Sequence, residues 1–191
     1  RYAAGELVDT ITTGEDGIAK SRELYLGKYS VVEVQAPHGM LLNSETHEVE
    51  LTYAGQEIAV TETATDFYNE RQKVSVNLSK VMEQNEKYGI GANGEVVNVS
   101  FGLYAAEELI SASGTTIPAD GLIEILMVDE NGKAVVSSDL PLGKYYVKEI
   151  ATDSHYLLND AKYPFEFAYA GQTVELVEIT ANDGKDIEND L

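Results

Sequence analysis

The sequence predicts an all-β protein made of two tandem antiparallel β-sandwiches. Apolar and polar residues alternate over short segments, as they do on strands that bury one face. Glycine, asparagine and aspartate separate these segments, and no segment shows sustained helical periodicity. A long internal repeat divides the chain into two copies of one unit.

The internal repeat is clearest in one predicted strand that occurs twice. Residues 27–33 read Gly-Lys-Tyr-Ser-Val-Val-Glu, and residues 143–149 read Gly-Lys-Tyr-Tyr-Val-Lys-Glu, at numbers that differ by 116. Upstream of this strand the difference falls to 102, so the second copy carries 14 additional residues. The other matched segments are Tyr-Ala-Ala at 2–4 and 104–106, Leu-Leu-Asn at 41–43 and 157–159, and Tyr-Ala-Gly-Gln at 53–56 and 169–172.

Two tandem domains explain a repeat of this length better than a solenoid, whose units have about 20–50 residues. We expect one domain over residues 1–72 and a second over 73–191. The second copy has a segment before its Tyr-Ala-Ala motif, from about Val74 to Leu103, for which the first copy has no counterpart. We therefore expect a fragment whose first domain has lost its opening strand or takes it from elsewhere.

Besides the repeated strand, five segments of the second copy carry strand patterns. Asp129-Glu-Asn-Gly132 follows one of them and indicates a tight turn. A brief helical turn is expected only at Glu107–Ser113. The strand segments are Val74, Val76, Leu78 and Lys80; Val97, Val99, Phe101 and Leu103; residues 121–128; Phe165, Phe167 and Tyr169; and Val174, Leu176 and Ile179.

The composition excludes several functional classes. The formal net charge of −20 argues against binding to nucleic acid or to an anionic membrane, because both require basic patches, and it favours a role in solubility. Without cysteine the chain can form no disulfide, Cys₄ zinc site or thiol nucleophile. It contains neither a signal peptide nor an apolar segment long enough for membrane insertion.

The repeated strand places a glutamate on a face predicted to be buried. Side chains alternate along a strand, so Glu149 shares a face with Tyr145 and Val147. Glu33 has the same place in the first copy. Burying a carboxylate costs several kcal/mol unless it is protonated or paired, so a glutamate in both copies indicates a specific role.

Two further polar residues are predicted to face the core of the second copy. Lys80 is in phase with the apolar residues of its strand, and Asn189 shares a face with Ile187. Together with Glu149 they place an amine, a carboxyl and a carboxamide on three core-facing strand positions. The first copy has Glu33 and Asn69 but no lysine equivalent to Lys80.

Each of these residues also has a purely structural interpretation. Lys80 could be an edge-strand lysine in solvent, and Glu149 could be bound by backbone donors. Asn189 could fray near the chain end, with Asn182 and Asp190 as neighbouring alternatives.

Neither a metal site nor a cofactor is predicted, because the acidic loops lack an EF-hand pattern and the histidines do not cluster. These histidines are His38, His47 and His155.

Residues 29–42 resemble the E-box of the Gram-positive surface-protein modules known as CnaB or SpaA domains. They read Tyr-Ser-Val-Val-Glu-Val-Gln-Ala-Pro-His-Gly-Met-Leu-Leu, with the family's Ala-Pro-x-Gly portion. Phe-Gly-Leu-Tyr at 101–104 resembles the family's Phe-x-Leu-Tyr strand. The second copy keeps Glu149 but has neither proline nor glycine at the matching places in 151–156. The resemblance covers nearly the whole chain and implies a prealbumin-like, Ig-like sandwich for each copy.

The resemblance also implies an intramolecular isopeptide bond. In this family a lysine on the first strand attacks an asparagine side chain on the last strand, ammonia leaves, and the E-box glutamate assists. Lys80 is then the nucleophile, Asn189 the electrophile and Glu149 the acid/base. Glu33 and Asn69 are the first-domain equivalents, whose lysine partner is absent from the chain. Three other lysines fall in the wrong places: Lys20, Lys28 and Lys73.

The chemistry follows from burial. A lysine attacks only as the neutral amine, and its ordinary pKa of about 10.4 leaves almost none of that form at pH 7. An apolar site lowers the pKa of an amine and raises that of a carboxyl, so that a neutral acid can bind the amide oxygen and transfer protons. Each molecule reacts once, so the domain is not an enzyme in the usual sense.

The leading functional hypothesis is a rigid stalk in a Gram-positive cell-wall-anchored surface protein or pilus subunit, located outside the cell. The second is an adhesin that binds a host matrix protein or glycan through loops, with 111–120 as the candidate surface. Expected partners are host matrix or other pilin subunits. Catalysis is a poor third, because no Ser-His-Asp spacing and no phosphate loop occurs.

Overall fold

The computed structural model describes residues 1–111 and 113–191. These residues form two compact units, the first made of 1–34 and 43–68 and the second of 35–42 and 69–191. Within the described residues the regular structure is β-strand with two short 3₁₀ turns, and no α-helix occurs. The predicted all-β class is therefore confirmed, while the domain limits 1–72 and 73–191 remain a prediction.

The first unit contains one hairpin. Strand β1, Gly27–Val32, pairs antiparallel with β2, Thr46–Leu51. Burial alternates along β1, so that Tyr29 and Val31 share the more buried face, as their spacing predicted. The hydroxyl of Tyr29 donates a 2.5 Å hydrogen bond to the carbonyl of Tyr25.

The second unit contains ten strands in a sandwich of two main sheets. The first sheet has the order β10-β9-β4-β7. The second has the order β11-β3-β12, and β8 also pairs with β3. Strands β5 and β6 form a separate hairpin. The strands are β3 Lys73–Met82, β4 Ser100–Ala105, β5 Leu109–Ile110, β6 Thr116–Ile117, β7 Leu122–Met127, β8 Lys133–Val135, β9 Gly143–Ala151, β10 Lys162–Phe167, β11 Leu176–Thr180 and β12 Ile187–Asn189.

Apolar side chains from both sheets fill the space between them. Leu78 of β3 and Ile187 of β12 come from one sheet, and Phe101 of β4, Val147 of β9 and Phe167 of β10 come from the other. All five are at most 2% exposed. Burial of this continuous apolar surface is the main stabilising contribution, at roughly 25 cal/mol per Å².

The pairing of β3 differs from the antiparallel arrangement that was predicted. The sheet β10-β9-β4-β7 is antiparallel throughout, but β3 pairs in parallel with both β11 and β12. Parallel strands need a long crossover connection, and here the rest of the unit supplies it. The first strand of the unit consequently lies beside the last.

The expected helical turn at Glu107–Ser113 is wrong for the residues that the structure describes. They contain β5, whose Leu109 is buried in the core while the next residue, Ile110, is 68% exposed. This alternation is that of a strand, and packing of Leu109 outweighs the local helix preference. Ala112 of the same segment lies outside the described residues. The predicted strand at 97–103 also begins later, since a 3₁₀ turn, Glu95–Asn98, precedes β4.

Candidate functional site

Three polar side chains lie in the core of the second unit. Lys80 of β3 and Asn189 of β12 are each 2% exposed, and Glu149 of β9 is fully buried. Strands β3 and β12 are neighbours in one sheet, and β9 belongs to the facing sheet. An amine, a carboxyl and a carboxamide are therefore enclosed between the sheets, on the faces that strand alternation indicated.

The carboxamide of Asn189 contacts Glu149 directly. Its Nδ2 donates a 2.7 Å hydrogen bond to Oε1 of Glu149. The same nitrogen lies 2.6 Å from the carbonyl oxygen of Leu157 and 3.2 Å from Oγ1 of Thr152. These contacts hold the end of β12 inside the sandwich, which contradicts the interpretation that Asn189 frays.

Two buried oxygen atoms of this pair have no hydrogen-bond partner among the described residues. They are Oε2 of Glu149 and Oδ1 of Asn189. A buried acceptor without a donor costs about 1–3 kcal/mol. The Glu149–Asn189 pair therefore stabilises the core less than apolar side chains of the same size would. A proton on the Glu149 carboxyl would supply a donor where none now exists.

The amine of Lys80 is held against the last strand. Its Nζ donates a 3.0 Å hydrogen bond to the carbonyl of Ile187, two residues before Asn189, and another to the carbonyl of Val81. Burial lowers the pKa of Lys80 to about 8, although the negative charge of Glu149 opposes this shift. The alternative of a solvent-exposed edge lysine is therefore wrong.

Backbone pairing sets the position of Lys80 relative to β12. Lys80 is opposite Ile187 in the parallel register, and its N–H donates a 2.7 Å hydrogen bond to the carbonyl of Gly132. Gly132 has a left-handed φ of 73°, and a Cβ there would lie 2.1 Å from the carbonyl oxygen of Lys80. The predicted Asn-Gly turn thus packs directly on the strand that carries the amine.

Asn159 is a residue of the site that sequence reasoning missed. Its backbone N–H donates a 3.1 Å hydrogen bond to Oε1 of Glu149, and its side chain donates to the carbonyl of Glu188 and to the hydroxyl of Tyr163. It therefore connects the carboxyl to the strand that carries Asn189. The available signal was the Leu-Leu-Asn segment, which occurs in both copies.

The first unit repeats this arrangement around Glu33. Oε2 of Glu33 accepts a 2.7 Å hydrogen bond from the N–H of Asn43, the counterpart of Asn159. The Asn43 side chain donates to the carbonyl of Tyr68, as Asn159 does to Glu188. The internal repeat is thus present in the hydrogen bonds as well as in the sequence.

Asn69, the first-copy equivalent of Asn189, belongs to the second unit. Its Nδ2 donates a 2.9 Å hydrogen bond to the carbonyl of Leu41, which corresponds to the bond from Asn189 to Leu157. In each copy an asparagine side chain therefore binds the carbonyl of the equivalent loop leucine.

The two alternatives to Asn189 lie elsewhere. Asn182 sits in a left-handed conformation with φ of 59° and donates to the carbonyls of Lys185 and Asp186. Asp190 is exposed. Asn189 alone among these three has its side chain inside the sandwich.

Two other features bear on possible ligands. Within residues 1–111 and 113–191, no group of histidine, aspartate and glutamate side chains is arranged to hold a metal ion. None of the helical segments that the structure describes has the length and apolar character to cross a membrane.

The fold and the site together define a class of protein: a β-sandwich domain whose core encloses an amine, a carboxyl and a carboxamide on its first, middle and last strands. The family model for the SpaA prealbumin-like fold domain matches residues 2–66 and 75–185. This chain belongs to that family. The matched ranges contain Glu33, Lys80 and Glu149, and Asn189 follows them.

The chain is also similar to individual proteins. The chain is 30% identical over 80 residues to the trypsin-resistant surface T6 protein of Streptococcus pyogenes, a match that covers 41% of this chain and 15% of that protein. The solved Bacillus anthracis TIE protein aligns with a TM-score of 0.62 and 25% identity, covering 94% of this chain and 28% of that one. The T6 backbone pilin of S. pyogenes aligns with a TM-score of 0.33 and 23% identity, over 50% of this chain and 16% of that one. The chain therefore spans less than a third of the length of each.

Proposed function

We propose that this chain is a stalk segment of a Gram-positive surface protein or pilus subunit, and that its second domain is locked by an isopeptide bond between Lys80 and Asn189. The observation that carries the proposal is the enclosure of Lys80, Glu149 and Asn189 between the two sheets. The membership of the SpaA family and the name of one relative, a surface protein, support a location outside the cell.

The reaction exchanges one amide for another. The neutral amine of Lys80 attacks Cγ of Asn189, forming the Nζ–Cγ bond. The bond from Cγ to Nδ2 then breaks, and Nδ2 leaves as ammonia with one proton from the amine. Glu149, which is hydrogen-bonded to Nδ2, transfers that proton. Atoms and charges balance without an oxidant or a second substrate.

Three properties of the site favour this reaction. The lowered pKa of Lys80 places a substantial fraction of neutral amine near physiological pH. The hydrogen bond from Lys80 to Ile187 holds the amine beside the strand of its target. Such fixed proximity can supply about 7–11 kcal/mol of a barrier.

The bond would change how the domain carries force. It would join β3, the first strand of the second unit, to β12, the last. Force applied at the two ends of the unit would then load a covalent bond instead of backbone hydrogen bonds. By analogy with a disulfide, closing a loop of about 100 residues stabilises the fold by roughly 4–5 kcal/mol.

Intact mass spectrometry tests the proposal. Loss of ammonia lowers the mass of the folded chain by about 17 Da, and Lys80→Ala abolishes this loss. Circular dichroism or NMR establishes that both proteins are folded. A folded wild-type chain with unshifted mass would overturn the proposed bond. Since each molecule reacts once, no turnover is expected.

A binding role is the second candidate, and the β5–β6 hairpin favours it. Ile110 is 68% exposed on a strand whose preceding residue, Leu109, is buried. An exposed apolar side chain beside the hydroxyls of Ser111, Ser113 and Thr115 could contact a host matrix protein or glycan. Binding to immobilised matrix components that Ile110→Ser abolishes would support this role. Binding that the substitution leaves unchanged would exclude this surface.

A further inference from the structure

The Tyr-Ala-Gly-Gln turn occurs in both copies and has the same conformation in each. The glycines, Gly55 and Gly171, have left-handed φ values of 109° and 102°. The hydrogen bond from the third residue after each glycine back to the glycine carbonyl is 3.3 Å in both turns. Both turns therefore offer a tyrosine and a glutamine on the same backbone framework.

In the second unit this turn is covered by residues 35–42, which hold the Ala-Pro-x-Gly loop. The N–H of Ala36 donates a 2.8 Å hydrogen bond to Oε1 of Gln172. The hydroxyl of Tyr169 donates a 2.9 Å hydrogen bond to the carbonyl of Met40. The tyrosine and the glutamine thus bind backbone groups of the loop, one as a donor and the other as an acceptor.

The sequence of the loop fixes the shape that these contacts require. Gly39 has a left-handed φ of 85°, and the N–H of Met40 closes a turn to the carbonyl of Pro37 at 3.0 Å. This turn brings the centroid of the His38 ring to 4.7 Å from the centroid of the Tyr169 ring. The Ala-Pro-x-Gly motif can therefore be understood as a ligand for the Tyr-Ala-Gly-Gln turn.

The corresponding turn of the first unit has its side chains in solvent. Tyr53 is 67% exposed and Gln56 is exposed, whereas Tyr169 and Gln172 are half-buried. We propose that turn 53–56 is a docking site for the Ala-Pro-x-Gly loop of another domain of this family. This inference uses only the duplicated turn and does not depend on the Lys80–Asn189 bond.

The equivalent loop of the second copy, 151–158, is not a suitable occupant. It has neither the proline nor the glycine, and its residues bind within their own unit. Asp153 accepts a 2.8 Å hydrogen bond from Asn98, and the hydroxyl of Tyr156 donates to the carbonyl of Glu83. The site consequently requires a domain whose loop has the Ala-Pro-x-Gly sequence.

A titration monitored by NMR tests the docking site in the whole chain. The probe is a cyclic peptide with the sequence of residues 35–42, and the control peptide has the sequence of residues 151–158. We expect saturable shifts of the backbone amides of Gly55 and Gln56 with a Kd in the millimolar range, and none with the control. A tethered neighbour presents its loop at roughly millimolar concentration, so such affinity suffices for docking.

The variants Tyr53→Ala and Gln56→Ala complete the test. Because both side chains are exposed, neither substitution should change the rest of the spectrum. Each variant is expected to weaken binding of the peptide at least about tenfold, because each removes one of the two side-chain contacts. The proposal is overturned if about 10 mM peptide produces no saturable shift, because even a tethered loop would then leave the turn empty. Shifts that persist in both variants would equally overturn it.

Discussion

The side chain of Asn189 donates a hydrogen bond of 2.7 Å to Oε1 of Glu149 in the space between the two sheets of the second unit. The two residues come from different sheets, and both are buried. An amide and a carboxyl in such contact would normally be avoided in a core, because two of their four oxygen and nitrogen atoms are left without partners among the described residues. The proposed reaction would use both groups.

Replacing the carboxyl of Glu149 is expected to stop the reaction without unfolding the domain. Glu149→Gln keeps the size of the side chain but removes the group that transfers protons. The folded variant should retain the mass of its unreacted sequence. Its melting temperature should fall by roughly 15–25 °C, the equivalent of about 4–5 kcal/mol in a domain of this size.

Glu33→Gln is the matched control, because Glu33 has the same hydrogen bond from the following Leu-Leu-Asn segment. This variant should still lose ammonia. Complete ammonia loss in Glu149→Gln, measured by intact mass, would show that the carboxyl is not required.

The buried amine predicts a pH-dependent stability that is visible only when the bond cannot form. In Asn189→Ala the bond cannot form, and burial should hold the pKa of Lys80 at about 8 in the folded state, below its ordinary value of 10.5. Between these values the unfolded chain binds more protons, so stability must rise with pH. The gain is up to about 3 kcal/mol and is absent below pH 8.

The double variant Lys80→Met/Asn189→Ala is the reference protein, because it differs from Asn189→Ala only by the loss of the titratable amine. Urea unfolding at a series of pH values gives the difference in free energy of unfolding. If that difference stays constant from pH 7 to 10.5, Lys80 is not a buried amine with a lowered pKa.

Asn159 is expected to act as a positioning residue. Its side chain binds the carbonyl of Glu188 and the hydroxyl of Tyr163, so Asn159→Ala should loosen the strand that carries Asn189. Its backbone hydrogen bond to Glu149 persists in the variant. If the chain is kept unfolded in denaturant until refolding starts the reaction, ammonia loss should be slower in Asn159→Ala than in the wild type. The pH dependence of its rate should be unchanged.

The comparison for this variant is Asn43→Ala, which removes the equivalent contact with Tyr68 in the first unit. It should leave the rate of ammonia loss at the wild-type value. Equal slowing in both variants would point to a general loss of stability of about 1 kcal/mol and not to positioning.

Local sequence patterns predicted the burial of two residues of the site. Alternation along β3 and β9 placed Lys80 and Glu149 on buried faces, because the side-chain period of a strand is a property of the backbone alone. The repeat identified Glu33 as the counterpart of Glu149, and the shared hydrogen-bond pattern follows from it.

Long-range pairing could not be predicted in the same way. No local pattern specifies that β3 pairs in parallel with β11 and β12, because this register depends on the connections of the whole unit. The segment at 107–113 illustrates the same limit, since burial of Leu109 is decided by its tertiary neighbours. The role of Asn159 was also hidden, because a loop asparagine ordinarily indicates only a turn.

The turn that packs on Lys80 provides the last prediction. A Cβ at Gly132 would lie 2.1 Å from the carbonyl oxygen of Lys80, so Gly132→Ala must push the turn away from β3 or shift the strand itself. Gly94 also has a left-handed φ, 81°, but apart from its chain neighbours no described residue has an atom within 4 Å of the place its Cβ would occupy. Gly94→Ala should therefore cost only about 1 kcal/mol for the backbone conformation. Gly132→Ala should cost at least about 2–3 kcal/mol and reduce the fraction of chains that lose ammonia on refolding. The two variants are compared by thermal unfolding and by intact mass. Equal losses of stability and of ammonia release in both would show that the turn does not position the amine.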